Sequence, residues 1–188
     1  MYWTIPWPSW LAWMLENPYM TFVSNSNKIV DKLQLEPGMV VADLGCGAGR
    51  ISVPTALKLG EHGHVFALDM QEKMLRKLEK RARKHRVQNI SIHHGKIRPQ
   101  LLIPQHYDRI VMVTVLGEIP QKDLVIAEAA KALKEGGILS ITEVIPDPCY
   151  QTIQSVKSRC ERYGLHEHRL WKSPLAYTCN FKKSAKKL

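Results

Sequence analysis

Apolar positions along the chain follow two periods. Short runs that stay apolar and are rich in β-branched residues recur at 39–44, 64–68, 89–93, 107–113 and 138–144. Such runs suit strands buried on both faces. Between them the apolar spacing changes to three and four, which predicts helices over 25–35, 50–59, 71–86, 122–133 and 150–163. Ile29, Val30 and Leu33 mark the buried side of the first helix, and Met74, Leu75, Leu78 and Ala82 that of the third. Residues 165–171 and 175–181 read as two further strands joined around Ser173 and Pro174. Strand and helix alternate through most of the chain. That predicts an α/β, Rossmann-like fold with a mostly parallel sheet and helices on both faces.

Breaks in the pattern sharpen this picture. Pro37-Gly38 turns the chain into the first strand, and residues 134–137 form a tight turn before the fifth. Directly after the first strand come Gly45, Gly47 and Gly49, at every second position. The helix that follows is expected to start near Gly47 and Ala48, to bend at Pro54 and to end at Gly60. A glycine turn between strand and helix lets a ligand approach the backbone. The spacing differs from the phosphate-binding G-x-G-x-x-G, and Asp43 stands two residues before the first glycine. An acid there repels a phosphate and suits a cation.

The segment Asp43-Leu44-Gly45-Cys46-Gly47-Ala48-Gly49 resembles motif I of the class I S-adenosylmethionine-dependent methyltransferases. A second likeness lies about 90 residues on, where Leu133-Lys134-Glu135-Gly136-Gly137 resembles that family's L-K-P-G-G segment. The resemblance covers about residues 35–182 and looks nearest to the small ubiquinone/menaquinone-methyltransferase-like group. It implies a seven-stranded sheet of order 3-2-1-4-5-7-6 with one antiparallel strand, and S-adenosyl-L-methionine as cofactor. It places Asp43, Leu44, Gly45, Cys46, Gly47 and Gly49 around the methionine end of that cofactor. Asp69 ends the second strand, where a carboxylate accepts from ribose hydroxyls. Its other reading is the N-cap of the next helix, and one residue can do both. Met70 is expected beside the adenine ring.

Two positions depart from the family pattern. An acid that often holds the adenine amino group is Lys96 here, and lysine cannot accept that bond. The backbone N–H groups of Lys96 and Ile97 are left to meet the ring. After the fourth strand, with Val113 at its end, the usual histidine is Gly117, followed by Glu118. Glu118 is the acid the motif puts near the acceptor. It is read as general base, as a contact to acceptor or cofactor, or as cap of the next helix. Some related methyltransferases bind arsenite on thiols, but nothing fixes the four cysteines here near one another.

Composition adds the outer limits. The chain has 188 residues, enough for one domain with a full core. Four of its five tryptophans fall in the first thirteen residues. This Trp-rich stretch, residues 1–24, is expected to pack as an arm or lid over the acceptor, with Trp7 and Trp10 facing the substrate. A peripheral membrane anchor is the second reading, weakened by the lack of lysine and arginine on its polar face. The methyltransferase domain is expected over 25–182 and a basic tail over 183–188. The four cysteines form no C-x-x-C pair, and His93-His94 has no further ligands, so no metal site is expected. The thiols, and the lack of a signal peptide or spanning segment, point to the cytoplasm. A net charge of +10 fits solubility or an anionic partner. The basic helix over 71–86 lacks interleaved aromatics, so an apolar or aromatic small-molecule methyl acceptor is favoured over a nucleic acid (RNA) or protein on the basic surface. Lys96 and Gly117 leave a non-catalytic S-adenosylmethionine-binding protein as a third reading.

Overall fold

The computed structural model describes residues 26–145 and 147–184. The expectations for Trp7, Trp10 and the rest of the arm, and for the end of the tail, lie outside these residues. The order of elements is helix α1 (Ser26–Lys32), strand β1 (Val40–Leu44), α2 (Ser52–Leu59), β2 (His64–Asp69), α3 (Glu72–Lys84) and β3 (Ile90–His94). Then come β4 (Tyr107–Val113), a 3₁₀ turn (Leu116–Glu118), α4 (Lys122–Ala132), β5 (Leu133–Val144), α5 (Ile153–Glu161), β6 (Leu165–Ser173) and β7 (Ala176–Lys183).

All seven strands form one sheet of order β3-β2-β1-β4-β5-β7-β6. The first five run parallel, and β7 runs antiparallel to both of its neighbours. The order reverses between β1 and β4, so a crevice opens at the carboxyl end of β1. Each face carries its own core. One joins Leu44, Met112, Ile126, Leu139 and Phe181. The other joins Val30, Val41, Leu59, Val65 and Leu78. Helices on both faces are why the central strands read as unbroken apolar runs. Edge strand β6 is largely exposed and carries His166, Glu167, His168 and Arg169, charged and polar groups that discourage edge-to-edge pairing.

Several helix ends differ from the sequence reading. α1 stops at Lys32 because its last carbonyls are met by buried side chains. Asn180 Nδ2 donates to the Lys32 carbonyl at 2.7 Å, Arg109 Nε to Leu33 at 2.7 Å and Arg109 Nη2 to Gln34 at 2.8 Å. α2 starts at Ser52 rather than near Gly47, since Gly45, Gly47 and Gly49 all sit at positive φ. Pro54 is therefore its third residue, inside the first turn, where a missing N–H costs nothing and no bend is required. α5 is shorter than expected because Thr152 caps it, accepting from the Ser155 N–H. Residues 134–137 fall within β5, yet pairing jumps from Tyr107–Leu133 to Arg109–Ile138, so they bulge out as the expected turn.

Candidate active site

The site is built from the loops at the carboxyl ends of β1, β2, β3, β4 and β5. The loop after β1 spends four of its amide donors within the protein. The N–H groups of Gly45 and Cys46 both donate to the Leu68 carbonyl, at 2.8 and 2.9 Å. The Gly49 N–H donates to the Cys46 carbonyl at 3.0 Å, and the Gly47 N–H to Asp69 Oδ2 at 2.8 Å. A phosphate cradle needs such donors turned toward the ligand. Here they hold the loop, and two carboxylates flank it.

The three glycines have different surroundings. A Cβ at Gly45 would lie 2.4 Å from Val115 Cγ2, and one at Gly49 2.2 Å from Leu78 Cδ1. Those two allow the turn after β4 and helix α3 to pack on the loop. A Cβ at Gly47 would meet nothing within 4 Å among the described residues. Gly47 therefore faces open space, where a ligand can come onto the backbone.

Asp69 holds the Gly47 N–H, and the buried Asp43 lies close enough to feel its charge. Asp43 is 3% exposed, and its Oδ2 accepts from the Ser52 hydroxyl at 2.5 Å. Burial raises its pKa to about 7, the Ser52 hydrogen bond opposes the rise, and the charge of Asp69 adds to it. A cation placed here would restore its ionised form. Asp69 Oδ1 accepts from the Gln71 N–H at 2.8 Å. The carboxylate thus ties the glycine loop to the start of α3, but its reading as that helix's N-cap is corrected: Gln71 holds the N-cap position, with no side-chain cap bond. Leu44 is fully buried beneath the loop. Burial, followed by the charges of Asp43 and Asp69, pushes the Cys46 thiol well up, so it stays protonated.

Beyond β3 the chain is more open. Lys96 is exposed, and Ile97 leans on the core. His94 Nε2 pairs with the Met70 carbonyl at 3.0 Å, and Met70 itself is exposed. Val113 is half-buried at the end of β4. The next residue, Thr114, sits at φ 55°, a strained position for a β-branched residue, with its hydroxyl on the Val113 carbonyl at 2.7 Å.

The turn after β4 is pressed between two neighbours. Val115 meets Gly45 on one side. On the other, a Cβ at Gly117 would lie 1.9 Å from the Cys149 carbonyl oxygen. The absent histidine thus has a steric reason: no side chain fits there. The reading of Glu118 as a helix cap is corrected, because α4 has Gln121 at its N-cap position and no side-chain cap bond. Glu118 is half-buried, and burial raises its pKa to about 7, with Asp147 and then Asp69 adding to the rise.

Sequence reasoning missed four groups: Ser52, Thr114, Glu143 and Asp147. Of these, Glu143 carried a signal, as the acid at the end of an otherwise neutral strand run. It is 1% exposed. Burial lifts its pKa to about 8; the Gln151 N–H and Lys122 oppose this, and Asp147 and Glu118 reinforce it. A carboxyl raised in the folded state costs stability once it must ionise. Its contribution is neutral below about pH 4.5, turns unfavourable as pH rises from there, and is fully unfavourable above about 8. Glu143→Gln is therefore expected to flatten the stability curve and to exceed the parent by about 3–5 kcal/mol at high pH. Urea midpoints at pH 5 and pH 9 check this; parallel curves for parent and variant would refute it.

Among the described residues no group of three or more His, Cys, Asp or Glu is arranged to hold a metal ion. Cys46, Cys160 and Cys179 are buried, and Cys149 lies in the loop after β5. None of the described helices is long and apolar enough to cross a membrane.

The sheet order and the carboxylate-flanked glycine loop define the class I S-adenosylmethionine-dependent methyltransferase architecture. The chain belongs to the methyltransferase domain family, whose pattern matches residues 35–183. It is similar to an arsenite methyltransferase of Halobacterium salinarum, 28% identical over 111 residues, 59% of this chain and 28% of that protein. It is also similar to a demethylmenaquinone methyltransferase of Lactobacillus johnsonii, 30% identical over 117 residues, 62% of this chain and 48% of that protein. The match thus spans less than half the length of these two relatives. A solved SAM-dependent methyltransferase from Aquifex aeolicus has the same fold, with a TM-score of 0.80, 21% identity, and coverage of 90% of this chain and 95% of that one. S-adenosyl-L-methionine is the cofactor of this class.

Proposed function

We propose that the chain transfers a methyl group from S-adenosyl-L-methionine to an apolar or aromatic small-molecule acceptor. The observation that carries this is the amide accounting of the glycine loop. The N–H groups of Gly45, Cys46, Gly47 and Gly49 are all bound within the protein, that of Gly47 by the Asp69 carboxylate itself, which suits a cationic ligand better than a pyrophosphate. When bound, the cofactor supplies a methyl group already activated by its positive sulfur. Asp43 and the 45–49 loop would hold its methionine end and Asp69 its ribose. The backbone at Lys96 and Ile97, beside Met70, would meet adenine, and Val113 would line the floor. The chain's task is then alignment, a proximity effect worth up to about 7–11 kcal/mol.

Residues 1–24 would close over the acceptor, with Trp7 and Trp10 toward it, residues 25–182 would form the catalytic domain, and the protein would work in the cytoplasm. Removing residues 1–18 is then expected to lower turnover roughly tenfold or more with little change in cofactor affinity, as expected for a part that excludes water and aligns the acceptor. Release of S-adenosylhomocysteine, followed with a panel of small aromatic acceptors, checks this. Equal turnover in the shortened chain would discard the lid. Acceptor-dependent release with RNA alone would move the function to the basic surface.

A further inference from the structure

Three acids, Glu118, Glu143 and Asp147, lie beyond the glycine loop. Glu143 is the penultimate residue of β5, flanked by buried Thr142 and Val144. Its Oε2 accepts from the Gln151 N–H at 3.3 Å. Its Oε1 is buried and meets no hydrogen-bond donor among the described residues. Leaving such a buried atom unmet is unfavourable. The neighbour able to relieve it does not. Tyr177 stands opposite Glu143 in the β5–β7 register, yet its hydroxyl donates to the Gln151 carbonyl at 2.8 Å.

Glu118 and Asp147 bring two more carboxyls from the flanking loops. The contact of Gly117 with Cys149 locks those loops together. Asp147 Oδ1 accepts from the Cys149 N–H at 2.7 Å. No ion pair among the described residues neutralises Glu118, Glu143 or Asp147. Lys122 acts on Glu143, but its ammonium donates to the Ile119 carbonyl at 2.9 Å. The three carboxyls are not disposed as ligands of one metal ion. Once ionised, they would repel a phenolate, a thiolate or a phosphate. What they lack is an N–H donor carrying positive charge.

We infer that Glu118, Glu143 and Asp147 form a subsite for a nitrogen nucleophile, so that the methyl acceptor is an amine. This rests on the methyl-transfer reading above and names its acceptor class. The amine enters as an ammonium ion, held on Glu143 Oε1 and Asp147, and gives one proton to the Glu118 carboxylate. The freed nitrogen lone pair forms the N–C bond as the S–C bond breaks, and sulfur keeps the bonding pair. The product leaves as an N-methylammonium ion, and Glu118 returns its proton to water. A pKa of about 7 suits Glu118 for this exchange near neutral pH. Glu143, faced by Asp147, Lys122, Glu118, Tyr177 and Cys149, must release its proton to take the cation, so amine binding tightens as pH rises from 6 to 8.5.

Titration of benzylamine, benzyl alcohol and benzoate into the full chain loaded with S-adenosylhomocysteine tests the subsite. Benzylamine is expected to bind roughly tenfold or more tightly than the alcohol, and benzoate not at all. Glu118→Gln and Glu143→Gln should each weaken the amine roughly tenfold while leaving the affinity for S-adenosylhomocysteine unchanged. Asp147→Asn, in a loop outside the strands, gives the same reading if Glu143→Gln fails to fold. Binding of the alcohol or benzoate as tight as the amine overturns the inference. So does amine affinity unaltered in the variants, or no benzylamine binding at millimolar concentration. A chain that binds benzylamine but not S-adenosylhomocysteine would keep the subsite and remove the methyl-transfer reading.

Discussion

Replacing Asp69 with alanine is expected to weaken binding of S-adenosyl-L-methionine about 100-fold, and to lower the melting temperature by roughly 5–10 °C. Two effects combine. Asp69 Oδ2 holds the Gly47 N–H and Oδ1 holds the Gln71 N–H, each at 2.8 Å. Hydrogen bonds to a charged group contribute about 1.5–3 kcal/mol each, and both donors are left unmet in the variant. The glycine loop then loses its tie to α3, and in the proposed pose the ligand also loses an acceptor for its ribose hydroxyls. Asp69→Asn separates the two. It keeps one acceptor and removes the charge, so its melting temperature should stay nearer the parent's while affinity still falls roughly tenfold. Calorimetric titration and thermal melts of the same samples measure both. Affinity within twofold of the parent in Asp69→Ala would refute the ribose role.

The second large effect is expected at Gly117. Its backbone is not in the left-handed region, so an alanine meets no conformational penalty there. The obstacle is contact. The added Cβ would lie 1.9 Å from the Cys149 carbonyl oxygen and 2.7 Å from its carbonyl carbon. Backbone atoms cannot rotate away as a side chain can, so the loop after β5 must shift. Overpacking of this kind costs about 1–3 kcal/mol, and Gly117→Ala should fall at the upper end. The shift moves Asp147 and its neighbours but not the glycine loop, which meets this turn through Val115 on the other side. The acceptor KM should therefore rise while cofactor affinity holds. A variant as stable as the parent, with unchanged KM, would contradict the packing account.

The parallel core of the fold was legible in the sequence because burial on both faces writes long apolar runs. β4 was read with its observed bounds, and β2 within one residue. Helix ends were less legible because distant groups set them. Arg109 and Asn180 stop α1 from strands far along the chain. The start of α2 was missed because three positive-φ glycines hold the turn longer than periodicity suggests. Motif words pointed to the glycine turn, since a local stretch of chain builds it. The proposed acceptor subsite draws on three separated segments, and no spacing rule brings Glu118, Glu143 and Asp147 together. Gly117 looked like a missing residue in the sequence; in the structure it is a contact.

The central claim is that the glycine loop holds a sulfonium cofactor rather than a pyrophosphate. Calorimetric titration of the full chain with S-adenosyl-L-methionine, repeated in the presence of ADP-ribose, tests it most directly. One S-adenosyl-L-methionine bound per chain, undisturbed by ADP-ribose, is the predicted result. Binding of ADP-ribose with none of S-adenosyl-L-methionine would contradict it.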